Sequence, residues 1–180
     1  MNDRRYRSPL AALTLILALA TLVAAPPPAD AGTERILFHL KTGLKHDDAQ
    51  LCVAYNEIWA ALDAGLQVDV LVDADAVNTY KVGWRGKDRF EGYKMPERLR
   101  QLLASTFGRP LAKVPETYGA YLRLLHDLGA HFYINSAMLV VAKIEEQPGT
   151  VAHIGPQFFQ PISLKEMVAL RRAATYYTVY

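Results

Sequence analysis

A single cysteine, Cys52, stands in 180 residues, so no disulfide can close within the chain. The pattern also lacks a zinc signature, a glycine-rich phosphate loop and the Ser/His/Asp order of a hydrolase. Formal charge is only +2, an excess too small to argue for nucleic acid or an anionic membrane surface as partner. No internal repeat or low-complexity tract divides the chain, and no residue pattern calls for a cofactor or a bound metal. Long apolar runs are missing everywhere except near the amino end.

That one run carries the marks of an export signal. Arg4, Arg5 and Arg7 form a positive segment, Leu10 to Ala25 an apolar core, and Ala29-Asp30-Ala31 a small-residue cleavage site before Gly32. The run falls short of the about 20 residues a membrane span requires, and Pro26-Pro27-Pro28 stops it. The expectation is a signal peptide over residues 1–31, a domain over residues 32–180 with no membrane span, and a periplasmic or secreted destination. In that oxidising setting the Cys52 thiol is either hidden or functional.

What is present is a regular succession of strands and helices. Ile36-Leu37-Phe38-His39-Leu40 reads as a buried strand, Lys41 to His46 as a polar turn, and the stretch opened by Asp47-Asp48 as a helix through Leu51, Cys52, Tyr55, Ile58, Trp59 and Leu62. Gly65 closes that helix and Gln67 to Val72 resumes a strand, completing a βαβ unit. Asp73-Ala74-Asp75-Ala76 ends the second strand and starts a short helix through Tyr80. Val82 to Asp88 and Phe90 to Tyr93 mix glycine, charge and aromatics, as a ligand-facing surface loop would. Helices are expected from Pro96 to the Gly108-Arg109-Pro110 break and from Pro115-Glu116 to Gly129. A third strand follows over Ala130 to Ile134, then a helix over Ala137 to Glu146 and a fourth strand over Val151 to Ile154. Ser163 and Glu166 form a capping box for a last helix, and Tyr176 to Tyr180 a fifth strand. The fold class expected is α/β, a three-layer sandwich around a mostly parallel five-stranded sheet.

The order of these strings resembles the DsrE/DsrF-like sulfur-relay domains, a flavodoxin- or Rossmann-type α/β family. The resemblance rests on Ile36 to Gly43 followed by Asp47-Asp48-Ala49-Gln50, on Val68 to Asp73, and on Leu128-Gly129-Ala130-His131-Phe132-Tyr133-Ile134. Family members that carry sulfur do so as a persulfide on a cysteine at the end of the third strand, often with a second cysteine three residues later. Here those positions hold Asn135 and Met138, neither of which can form a persulfide. The resemblance therefore implies a fold and an oligomeric habit, and it transfers no catalytic residue.

Asn135 and Ser136 have two readings: caps for the helix that follows, or, together with Thr42 and Gly43, parts of a site for a small sulfur-containing anion at the strand ends. Cys52, flanked by Leu51 and Val53, is either a small buried hydrophobe or a displaced sulfur carrier activated by Lys45 and His46. His39 reads as a satisfied core histidine. His46, Asp47 and Asp48 read as a solvated turn and cap, with a metal patch shared with Asp73 or Asp75 as the weaker alternative.

Function divides three ways: a noncatalytic exported module that binds a small ligand or a partner in sulfur metabolism, a persulfide carrier using Cys52, or a structural assembly subunit. A homo-oligomer is expected in each case. The first helix shows apolar residues nearly all round, with Trp59 on its outer side, and the aromatic last strand invites cover.

Overall fold

The apolar run Arg35–Leu40 forms β1, and its parallel neighbour β2, Gln67–Val72, lies beside it along its whole length. The computed structural model describes residues 34–83 and 90–180. The expected signal peptide, and Trp84 to Asp88 of the expected surface loop, lie outside the described residues. Between the two strands runs α1, Asp48–Asp63, opened by the Asp47 carboxylate, which accepts the Gln50 amide, and left at Gly65 with φ +80°. A 3-10 turn, Ala74–Thr79, follows β2, and α2, Glu97–Thr106, follows the excursion beyond it. Next come α3, Tyr118–Asp127, β3, His131–Asn135, and α4, Ser136–Val141. The chain ends with β4, Gln160–Ile162, α5, Leu164–Ala173, and β5, Tyr176–Val179.

The five strands are all parallel, in the order β4-β3-β2-β1-β5. The path steps steadily from β1 to β4 and then returns to the far side of β1. Right-handed crossovers place the earlier helices on one face of the sheet and α5 on the other. The first face buries Phe38, Val70, Val72, Phe132 and Ile134 against residues of α1 to α4, while the second buries Leu37, Leu71 and Ile162 against Met167 and Leu170 of α5. The expected α/β sandwich is present, with a sheet that is wholly rather than mostly parallel.

Two elements differ from the sequence reading. Val151 to Ile154 is not a strand of the sheet: it is a turn whose buried Ile154 makes one antiparallel bridge with Lys81. The strand beside β3 is Gln160–Ile162, centred on Pro161, whose missing amide is tolerated because β4 is an edge. Helix α4 stops at Val141 instead of reaching Glu146, and Lys143 takes a left-handed φ of +55°. Leaving the helix lets the buried Glu145 carboxylate accept the His153 amide at 2.7 Å and the Thr150 hydroxyl at 2.9 Å. In α3 the cap is Thr117, so the helix starts at Tyr118, just after the expected Pro115-Glu116 opening. The capping box of α5 closes as expected, the Ser163 amide donating to the Glu166 carboxylate at 2.7 Å.

The outer side of α1 is covered within the chain. Trp59 is 1% exposed, stacks on Phe107 beyond α2 at 4.1 Å and meets Tyr121 of α3 edge-on at 5.6 Å. The surplus apolar surface that pointed to a second chain at this helix is therefore absorbed by α2 and α3, leaving Val53 exposed on the helix.

Candidate functional site

The carboxyl ends of β1, β2 and β3 bring His39, Asp73 and Asn135 together. Asn135 closes β3 and caps α4: its Oδ1 accepts the amides of Ala137 at 3.0 Å and Met138 at 3.3 Å. Its Nδ2 donates to Asp73 Oδ1 at 2.7 Å, an atom that also accepts the Ala74 amide at 2.7 Å. The other Asp73 oxygen lies 3.2 Å from His39 Nε2, and His39 Nδ1 meets the Tyr177 hydroxyl of β5 at 2.7 Å. His39, first in influence, together with Asn135 and the Ala74 amide, outweighs burial and holds the Asp73 carboxyl well below the usual carboxylate range. With Asp73 ionised, the network is satisfied when His39 Nε2–H donates to it and Nδ1 accepts from Tyr177.

This chain of contacts ties four strands at one end of the sheet. Every polar atom of the Asn135 side chain has a use within it, and Ser136, also buried, donates its hydroxyl to the Ile162 carbonyl at 3.0 Å. Thr42 donates its hydroxyl to the Gln50 side chain at 3.1 Å, and its amide donates to the Tyr180 carbonyl at 3.2 Å. Gly43 is required by close approach: a Cβ there would collide with a carboxylate oxygen of Asp75 and fall 3.0 Å from the Asp75 carbonyl. The structure thus groups Asn135 and Ser136 around the start of α4, and Thr42 and Gly43 around the loop after β1.

Cys52 lies elsewhere. It is half-buried on α1, accepts a long contact from Asn56 Nδ2 at 3.7 Å, and neighbours Tyr118 of α3. His46 is engaged away from it, its Nε2 lying 3.4 Å from Asp75. Asp47 acts as the α1 cap, and among the described residues no group of three or more His, Cys, Asp or Glu is placed to hold a metal.

The loop after β1 also walls a cavity of about 660 Å³, a size suited to a small organic molecule. Leu44, Lys45 and His46 form one side, and Lys81, Phe90 and Tyr93 contribute to the other. A second chamber of about 160 Å³ shares several of these residues and reaches Gly43 and Asp75. The Leu44 amide donates to the Thr79 hydroxyl at 2.9 Å, pinning the loop to the turn that follows β2. Sequence reasoning marked Phe90 to Tyr93 as ligand-facing but missed Lys81 and Tyr177. Neither has a local signal, since Lys81 is placed by its bridge to Ile154 and Tyr177 by strand pairing with Leu37.

No protein-family model matches the chain and no curated protein matches it. Among solved structures, the fold is similar to the crystal structure of the ychN protein from E. coli, with a TM-score of 0.50 and 14% sequence identity over 82% of this chain and 99% of that one.

Proposed function

We propose that this protein is an exported, noncatalytic DsrE-like module of sulfur metabolism that binds a small ligand or a protein partner as a homo-oligomer. One observation carries the reading: the position where the resembled family holds its sulfur-bearing cysteine is Asn135, and that side chain spends its acceptor on two helix amides and a donor on Asp73. A group so engaged organises the site and offers no nucleophile. The likeness to a solved α/β structure over 82% of the chain supports the fold-level part of this reading. The cavity beside Gly43 supports ligand binding. Assembly draws support from the edge strand β5, where Tyr176, Tyr177 and Val179 are 46%, 49% and 48% exposed.

The test is sulfur loading. Polysulfide offers sulfur that a reactive thiolate would take up as a persulfide, so the protein is treated with it and analysed by mass. Native Cys52, packed beside Tyr118 and Asn56, should gain no sulfur atom from polysulfide, and a thiol-alkylating reagent should label it slowly in the native state and fully in denaturant. Rapid loading of Cys52 followed by transfer to a thiol acceptor would refute the noncatalytic reading. Light scattering across a dilution series tests assembly, and a monomer at every micromolar concentration would remove that part.

A further inference from the structure

We propose that the cavity beside the loop after β1 takes an amphipathic organic anion, an aromatic or alkyl body ending in a carboxylate or sulfonate, with Lys45 and Lys81 as its counter-charges. This rests on the ligand-binding reading above and names the chemistry of the ligand. The space, about 660 Å³, is too large and too apolar in part for a lone inorganic ion. The ring of Tyr93, 42% exposed, supplies aromatic surface for an organic body, and Phe90, buried against Tyr55 and Tyr80, backs the wall.

The charges select the head group. Among the described residues Lys45 makes no hydrogen bond or ion pair, and the Lys81 ammonium donates only to the neutral Asn78 amide oxygen at 3.1 Å. Among the described residues, the acidic groups nearby are otherwise engaged. Asp48 sits in the first turn of α1, where the helix dipole offsets its charge, and accepts from the Tyr93 hydroxyl at 3.5 Å. Asp75, at the smaller chamber, faces His46 at 3.4 Å and accepts from Asn78 at 3.1 Å. A cationic ligand would meet two ammonium groups. A neutral one would strip water from them and return nothing. An anion replaces that water with a charge-assisted contact. The lysines spring from fixed backbone, since the Leu44 amide is held by Thr79 and residue 81 is bridged to Ile154.

The experiment titrates the full, processed chain with two fluorescent probes of one shape, 1-anilinonaphthalene-8-sulfonate and its uncharged parent N-phenyl-1-naphthylamine. The sulfonate should bind saturably at one site per chain and weaken as salt is raised. Lys45→Ala and Lys81→Ala, both exposed and expected to fold normally by circular dichroism, should each weaken it about tenfold while leaving the neutral probe unchanged. Tyr93→Ala should weaken both probes. Equal affinity for the two probes, or sulfonate binding untouched in the lysine variants, would overturn the anion assignment and leave a cavity for neutral ligands. Binding of neither probe would overturn the inference together with the cavity's role, while the sulfur-loading result on Cys52 would stand by itself.

Discussion

Replacing Asn135 by alanine removes the group that joins the α4 cap to the Asp73 network, and the structure sets the size of the effect. The side chain is 3% exposed, so water cannot take over its bonds. Loss of a helix cap costs about 1 kcal/mol. Loss of a donor to an ionised carboxylate costs about 2 kcal/mol more, moderated because the Ala74 amide and His39 still reach Asp73. Asn135→Ala should therefore lower stability by about 3 kcal/mol, read as a shift of the urea midpoint at constant slope. Asn135→Cys, which likewise removes the amide donor to Asp73 and the oxygen that caps α4, should cost a similar amount. Asn135→Asp separates the two contributions. Its carboxylate keeps the cap but stands against Asp73, at the position of a bond now 2.7 Å long. The new acid's folded pKa is then raised above its unfolded value of about 3.9, so the cost is absent below that pH and accumulates as pH rises through the folded pKa. The gap between Asn135→Asp and the unsubstituted protein should narrow from about pH 8 to about pH 4. A gap independent of pH, or an Asn135→Ala protein within about 0.5 kcal/mol of the parent, would refute the coupling of the cap to Asp73.

Trp59→Ala should destabilise the fold by about 3 to 5 kcal/mol, and Trp59→Glu should unfold it rather than release intact subunits; urea melts combined with light scattering check this. Tyr55 and Tyr80 share one buried hydroxyl contact at 3.0 Å, so Tyr55→Phe strands the Tyr80 hydroxyl and should cost about 1 to 3 kcal/mol. The double change to Phe should cost less than the sum of the two single ones, by a double-mutant cycle in urea. Asp73 has a folded-state pKa below its unfolded value, so its stabilisation is present above about pH 4 and is lost as pH falls below it. Asp73→Asn should be less stable than the parent at neutral pH and lose less on acidification; parallel acid limbs in thermal melts would contradict this.

Much of the fold was legible because its signals are local. The Asp47 cap bonds three residues away, Ser163 and Glu166 close their box over the same distance, and Gly65 and Gly129, with φ of +80° and +110°, stop helices where a side chain would strain the backbone. β4 was misplaced for the complementary reason. Val151 to Ile154 has strand-forming residues but is held in a turn by Glu145, while Pro161 argues locally against the strand it occupies and is accepted only because its edge position needs no amide there.

The candidate site divides along the same line. By itself the sequence determined that the third strand ends in Asn135 rather than a cysteine, that the residues after it begin a helix, and that the loop before α1 carries Gly43, Lys45 and His46. Only the tertiary structure decided what these residues meet. Tyr177 reaches His39 across a separation of 138 positions because β5 pairs alongside β1, and Asn135 reaches Asp73 across 62 because parallel strands align their carboxyl ends whatever the length of chain between them. Trp59 is covered by Phe107, and Lys45 comes to share a cavity with Lys81, through packing of elements remote in sequence. Periodicity and capping act over one or two helical turns and so can be read along the chain, whereas burial, partner choice and cavity shape depend on which surfaces collapse together.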